Sequence, residues 1–241
     1  MKFDPPLKPA KLIKRYKRFL FDAELPDGSF ITGSCPNTGS MRGLTEPGSN
    51  IWMCDHGTGG TRKYQYSLEL VEAAGTIVGI NTSRPNKLVE QAIQSGLIDN
   101  LHQYSELKRE QKYGKNSRID ILLSDDTLGH AYVEVKNVHF LRTRHLAEFP
   151  DSATARGAKH LYELVDMVKQ GHRAIMVYLI QRSDCDQFKI CRELDPTYAE
   201  AFDHAMLNGV EAYALRCQIS PSGIEPEKLV DIDEPNVAKG L

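Results

Sequence analysis

The feature of this 241-residue chain that narrows its fold furthest is a change of rhythm near residue 83. Before that point, Pro26-Asp27-Gly28, Pro36-Asn37-Thr38-Gly39, Pro47-Gly48 and the glycine-rich loop 57–60 cut residues 10–82 into short pieces. Pieces bounded by such breakers suit strands, because Gly and Pro supply the turns a sheet needs. The predicted strands are 10–24, 28–34, 49–54, 64–73 and 76–81. Five of them at that spacing make a small β-barrel, of which an oligonucleotide-binding (OB) barrel is one form. After Asn81-Thr82-Ser83-Arg84-Pro85 the period lengthens. From Asn86, Leu88, Ala92, Ile93 and Leu97 follow helical spacing and end near Gly96. Strands are then predicted at 104–113, 117–123 and 131–138, a helix at 154–170 stopping at Gly171, a buried strand at 174–181, a helix at 197–208 and a last strand at 211–219. That is a mixed α/β layout with helices on a sheet. The expected division is 1–83 and 84–241.

Charge and composition exclude several classes. The longest apolar run, residues 174–180, is far too short to span a bilayer. The first twenty residues hold seven Lys or Arg but no apolar core of signal-peptide length, so a cytoplasmic chain is expected. Cys35, Cys54, Cys185, Cys191 and Cys217 form no CxxC pair, which argues against a disulfide framework and a structural zinc site. The net charge of −2 hides local patches. Lys2, Lys8, Lys11, Lys14, Arg15, Lys17 and Arg18 crowd the start, and Lys108, Arg109, Lys112, Lys115 and Arg118 form a second basic stretch. Glu225, Glu227, Asp231, Asp233 and Glu234 read as an acidic C-terminal tail. Basic patches determine where a polyanion docks, although a solvated charged face fits the same pattern.

The tripeptide Glu-x-Lys occurs three times, at Glu106–Lys108, Glu110–Lys112 and Glu134–Lys136. Each is an ordinary charge pair on one side of a strand, since residues i and i+2 point the same way. The third differs in its partner. Residues 124–130 are turn-rich, so strands 117–123 and 131–138 form a hairpin centred on Thr127. A symmetric hairpin sets Asp120 beside Glu134 with Cβ atoms about 5 Å apart. Lys136 shares their face, while Ile119, Ile121, Val133 and Val135 fill the other. Two carboxylates held so close repel, and a divalent cation relieves that repulsion. Oxygen ligands of this kind suit Mg2+ or Mn2+ better than zinc. A polar face tuned only by salt bridges is the alternative.

Several segments together resemble one family. They are Cys35-Pro36-Asn37-Thr38-Gly39-Ser40-Met41, Glu110-x-Lys112-Tyr113-Gly114, Ser117-Arg118-Ile119-Asp120, Glu134-Val135-Lys136, Phe149-Pro150-Asp151 and Arg156-Gly157-x-Lys159-His160. In order and spacing, from about Arg15 to Ile219, they resemble the sugar fermentation stimulation protein A (SfsA) family. The resemblance implies an N-terminal OB-like barrel followed by a PD-(D/E)XK nuclease-like α/β domain. It also implies DNA binding with a role in regulating sugar catabolism in bacteria. Asp120 and Glu134 match the metal carboxylates, Lys136 the motif lysine and Glu110 a supporting acid. The chain departs from the family at Asn137 and His139, where EVK-S-V-T is usual, and at Ser152, where FPDA is usual. Neither change removes an acid or the lysine.

On this reading Asp120, Glu134 and Lys136 are the catalytic group, and Asp120, Glu134 and Glu110 hold Mg2+ or Mn2+. Lys112 and Arg118 track the nucleic-acid backbone. Asp151, Ser152 and Thr154 are N-cap candidates for a helix whose first turns carry Arg156, Lys159 and His160, a phosphate-binding arrangement. Arg15, Arg18 and Asn37 are the candidate contacts of the first domain. The partner expected is DNA, single- or double-stranded, with no membrane; self-association into a homo-oligomer is left open. Three functions compete: a metal-dependent nuclease, a DNA-binding regulator that keeps the fold without the chemistry, and a sugar-binding protein. No aromatic platform supports the last.

Overall fold

The computed structural model describes residues 1–98, 100–114 and 117–237. Two sheets are built in chain order. The first contains β1 (Lys8–Tyr16), β2 (Leu20–Glu24), β3 (Phe30–Ser34), β4 (Asn50–Asp55), β5 (Tyr66–Ala73) and β6 (Thr76–Gly79) in the order β3-β2-β1-β4-β5-β6. A further pairing of β3 with β5 at Ser34↔Ser67 closes five of these strands into a barrel. Leu12, Phe21, Met41, Ile51, Met53 and Leu68 fill it.

The stretch 10–24 is two strands rather than one. Lys17 and Arg18 adopt left-handed φ values of 49° and 65°, and Tyr16 pairs with Leu20 across the turn. No Gly or Asn marks this turn. It is held instead from outside: Arg15 Nη2 donates to the Arg18 carbonyl at 2.6 Å, and Arg18 Nε donates to the Thr38 carbonyl at 2.8 Å.

The second sheet has nine strands. It adds β7 (Glu106–Tyr113), β8 (Ser117–Asp125), β9 (Gly129–Val138), β10 (Phe140–Thr143), β11 (Leu146–Phe149), β12 (Arg173–Ile180), β13 (Gln187–Ile190), β14 (Glu211–Ser220) and β15 (Gly223–Ile232). Their order is β10-β11-β13-β15-β14-β12-β9-β8-β7. Helix α1 (Pro85–Gln94) packs on one face, against β8, β9, β12 and β15, over Leu88, Val89, Ala92 and Ile93. Helices α2 (Ala155–Lys169) and α3 (Pro196–Leu207) pack together on the other face, over Leu161, Leu164, Tyr178, Tyr198 and Phe202. Covered on both sides, β12 is apolar almost throughout.

Four strands escape the sequence reading, and one of them corrects it. Gly223–Ile232 is not a free acidic tail but β15, antiparallel to β14 and parallel to β13 inside the sheet. Its carboxylates face outward to cations, as where Arg216 meets Glu227 at 2.9 Å.

Capping fixes where α2 starts. Of the three candidates, Thr154 is the N-cap, its Oγ1 accepting the Gly157 N–H at 3.1 Å. Asp151 points elsewhere. It accepts from Ser40 of the first sheet's long β3–β4 loop and lies 3.5 Å from His139 Nε2. The two sheets also meet where Gly79 N–H donates to the Gln181 carbonyl at 2.9 Å. A Cβ at Gly79 would stand 2.6 Å from Gln181 Oε1, so a larger residue here would have to displace that side chain.

Candidate functional site

The site begins with register. Strands β7 and β8 pair at Arg109↔Ile121 and Gln111↔Ile119, so Glu110 stands opposite Asp120. Strands β8 and β9 pair from Asp125↔Gly129 to Ile121↔Val133, so the next residue pair is Asp120 and Glu134. The three acids thus share one rung across three neighbouring strands. The hairpin centre at Thr127 predicts the second of these pairings.

At that rung both ladders open. Glu110 takes a left-handed φ of 57°, and the Val135 N–H donates at 2.8 Å to Asp120 Oδ2 in place of a strand partner. Across the opening, the buried residues of β8 change core. Ile121, Val133 and Val135 join the α1-side core as expected, but Ile119 joins the α2-side core. Alternation therefore fails at Asp120, where the pairing stops.

Glu134 is only 3% exposed. Its Oε1 accepts Lys136 Nζ at 2.6 Å and is bonded to His160 Nδ1, while Oε2 is buried with no partner. Burial pushes the carboxyl up, but Lys136 and His160 outweigh it and leave Glu134 below its ordinary value. Asp120 goes the other way. Burial, then the charge of Glu134, raise it to about 6 against the hydrogen bonds from Val135 and Asn86. Two adjacent acids are thus driven apart in acidity, a pattern concentrated at functional sites.

The three Glu-x-Lys copies now separate physically. Glu106 and Lys108 pair at 2.8 Å with both side chains 58% exposed, an ordinary surface contact. Glu110 is exposed and bonds to Asn86 Nδ2 at 2.9 Å. Only Glu134 and Lys136 hold their ion pair under cover.

These residues fit a hard cation through two carboxylates. Glu134 offers a buried oxygen lacking any donor, and Asp120 sits beside it with its charge disfavoured. Both are cured by one positive centre with oxygen affinity, its remaining positions filled by water. Among the described residues no three His, Cys, Asp or Glu side chains are already gathered as a metal-holding group. Glu110 would have to swing in from the surface to complete a trio.

A cleft of about 600 Å³ opens over the rung. Of the residues expected from sequence it gathers Glu110, Arg118, Asp120, Glu134, Lys136, Arg156, Lys159 and His160. Arg118, Arg156 and Lys159 place cations around its mouth. His160 is buried, bonded to Glu134 and to Arg156 Nε at 3.4 Å.

Lys112 lies on β7 opposite Arg118, outside the cleft wall. Arg15, Arg18 and Asn37 belong to the barrel. Asn37 is buried, with Oδ1 accepting the Gly39 N–H, and Arg15 donates to the carbonyls of Arg18, Asn37 and Gly39. Lys115 falls outside the described residues. Among these residues no helix is long and apolar enough to cross a membrane.

Sequence reasoning missed Asn86 in the first turn of α1. Its Nδ2 donates to both Glu110 Oε1 at 2.9 Å and Asp120 Oδ1 at 3.0 Å. It also missed the wall behind Lys159, where Ser117 Oγ donates to Glu163 Oε1 at 2.9 Å and accepts Lys159 Nζ at 3.2 Å. The one signal for Asn86 was Pro85, which marks a helix's first turn.

A closed five-stranded barrel joined to a mixed α/β domain with an acid–lysine cleft defines a two-domain class. Residues 13–80 match the SfsA N-terminal OB domain, and residues 83–223 match the sugar fermentation stimulation protein RE domain. The chain belongs to the sugar fermentation stimulation protein (SfsA) family. It is 65% identical over 235 residues to the sugar fermentation stimulation protein homolog of Rhizobium meliloti, covering 98% of each chain. It is 64% identical over 234 residues to the homolog of Sinorhizobium medicae, covering 97% of this chain and 98% of the other. A solved structure, Pyrococcus furiosus SfsA in complex with Ca2+, superposes with a TM-score of 0.86 at 29% identity, covering 97% and 98% of the two chains.

Proposed function

We propose that the protein binds DNA and hydrolyses phosphodiesters at the Asp120–Glu134–Lys136 cleft with Mg2+ or Mn2+. The observation that carries this reading is the buried, unpartnered Glu134 Oε2 beside Asp120, beneath a rim of Arg118, Arg156 and Lys159. That the Pyrococcus furiosus relative was solved in complex with Ca2+ supports the use of a hard cation. A pure DNA-binding surface gains nothing from carboxylates facing a polyanion unless a cation covers them.

In this reading Asp120 and Glu134 hold the cation, and Glu110 supports it from β7. Bound there, a cation would supply Lewis-acid charge to a phosphodiester and make neighbouring water more acidic. Lys136 points its ammonium along the same face and steadies charge that develops on the phosphorus oxygens. His160 orients Glu134 and keeps it ionised. Arg118, Arg156 and Lys159 hold phosphates next to the reacting one, Arg156 and Lys159 from the α2 N-terminal turns where free N–H groups favour anions. Lys112 extends that track along β7. Arg15 and Arg18 act by shaping the loop that carries Asn37, which docks through Ser40 on Asp151. The names of the relatives tie the family to sugar fermentation, and DNA binding by this chain would connect the two as regulation.

The test is cleavage of supercoiled plasmid and single-stranded DNA with Mg2+ or Mn2+, comparing wild type with Asp120→Ala and Glu134→Ala. Nicking that needs the metal and disappears in both variants supports the enzyme. DNA bound but never cut leaves the non-catalytic regulator. Binding is also expected to weaken steeply with salt as Arg118, Arg156 and Lys159 release counterions; a flat response removes the phosphate contacts from the account.

A further inference from the structure

We propose that Asn86, whose amide bridges two of the acids, is a ligand of the cation site. The inference rests on the metal reading above and adds a residue from outside the three acidic strands.

Asn86 is the second residue of α1, after Pro85. Its amide nitrogen lies 2.9 Å from Glu110 Oε1 and 3.0 Å from Asp120 Oδ1. Ionised carboxylates only accept, so the nitrogen must face them and the amide oxygen must face away. One neutral donor therefore stands between two carboxylates on adjacent strands, at the spot where their charges most need a cation. Glu134, with its buried unpartnered Oε2, lines the same cleft as those two acids. The three acids thus line one cleft, and the amide bridges two of them.

A hard cation binds carboxylate oxygens at about 2.0–2.6 Å, closer than the amide nitrogen approaches them. With a cation held by those carboxylates, the NH2 group would lose its acceptors and face positive charge. A half-turn about the Cβ–Cγ bond reverses the amide and offers Oδ1, a ligand hard cations use readily. Asn86 is half-buried rather than enclosed, so water can reach the NH2 group after the turn.

The surrounding backbone fits this role. Helix α1 has no acidic residue in its first turn and its cap makes no side-chain hydrogen bond. Glu110 and Asp120, tethered through Asn86, supply the negative charge such a helix start favours. Glu110 reaches Asn86 from a left-handed φ of 57° within β7, a conformation unfavourable for a non-glycine residue. A neutral amide also keeps the cluster to three acids. An aspartate in its place would give four.

The experiment is Mn2+ binding by isothermal titration calorimetry on wild type, Asn86→Ala and Asn86→Asp, with thermal melts of each in EDTA and in Mn2+. Asn86→Ala is expected to weaken Mn2+ by ~10-fold or more, the scale on which residues supporting a metal site act. Asn86→Asp restores an oxygen ligand, so it binds Mn2+ at least as tightly as wild type. It also melts lower than wild type in EDTA and shows a larger upward shift on adding Mn2+. Equal Mn2+ affinity in wild type and Asn86→Ala overturns the proposal and leaves the metal reading standing. Weakened binding in both variants, with no rescue by Asp, reduces Asn86 to a structural residue and also overturns it. A wild type that binds no Mn2+ overturns the metal reading, and the role of Asn86 with it.

Discussion

Burial and then the charge of Glu134 hold the Asp120 carboxyl at about 6, well above an ordinary aspartate. The sign of the consequence follows from linkage. Folding raises this acid's affinity for its proton, so stability is fullest below pH ~4 and falls as the pH climbs through about 6. A rise of roughly two units sets a ceiling of about 3 kcal/mol on that loss. Asp120→Asn removes the charge but keeps an oxygen for the Val135 N–H. Its stability relative to wild type, in EDTA, is expected to improve between pH 4 and about pH 6 and then to level off toward pH 8. Chemical denaturation at those two values measures it, and a difference that ignores pH refutes the buried-charge account. The cluster's legibility in sequence has the same origin. Asp120 and Glu134 could be paired because a hairpin's register follows from its turn, and period-two alternation put Lys136 beside Glu134. Asn86 lies 34 residues from Asp120 in sequence and meets it only through the packing of α1. His160 could be placed on a helix but not turned inward to Glu134, since helical spacing gives a face and not the strand beneath it.

Helix α2 carries Arg156 and Lys159 to the cleft, and its start depends on one glycine. Helix propensity alone favours Ala over Gly by about 1 kcal/mol inside a helix. At Gly157 the surroundings reverse that preference. An added Cβ would stand 2.8 Å from Thr154 Cγ2, 2.9 Å from Thr154 Oγ1 and 3.1 Å from a Tyr198 ring carbon. Thr154 is the cap, and Tyr198 is fully buried with its hydroxyl 2.6 Å from that of Tyr178. Neither can retreat freely. Gly157→Ala is therefore expected to destabilise the fold by about 1–3 kcal/mol, the usual cost of overpacking, and urea unfolding reads it directly. A stabilised variant would show that the cap and α3 yield. Among the elements, those with long clean periods were legible: α1, α2, α3 and β12 lie within a residue or two of their expected spans. The failures share a cause, which is that tertiary partners replaced local signals. The β1–β2 turn uses Lys17 and Arg18 because arginine side chains hold it from outside. Strands β10, β11 and β13 have four residues each, too few for alternation to show. In β15 acids crowd the sequence and mask the buried Ile224.

Across the whole molecule, the barrel and the nine-stranded sheet are joined by polar contacts as well as packing. The bridge Val78↔Arg182 and the Gly79–Gln181 bond join β6 to the end of β12. The N-terminus crosses back, with Lys2 pairing with Gly223 and Phe3 entering the α1-side core. On the side nearer the cleft the join is Asp151, which takes Ser40 of the barrel loop and faces the buried His139. Asp151 stands three residues before the α2 cap, so this contact ties the loop holding Asn37 to the segment that aims Arg156 and Lys159. Burial works to raise the Asp151 carboxyl, but His139 and Ser40 overcome it and bring it down to about 2. A depressed acid stabilises the fold above its unfolded value and loses that contribution as pH falls, here through the window from about 4 to about 2. Asp151→Asn forfeits the ionic part of the contact, a loss on the order of 2 kcal/mol near neutrality. The deficit relative to wild type is expected to shrink toward zero by about pH 2, where wild-type Asp151 has itself become protonated. Urea titrations of both proteins across that range test the sign as well as the size. If Asp151→Asn equals wild type at pH 7, the join does not depend on this charge. If its deficit persists unchanged at low pH, the loss comes from packing rather than from ionisation.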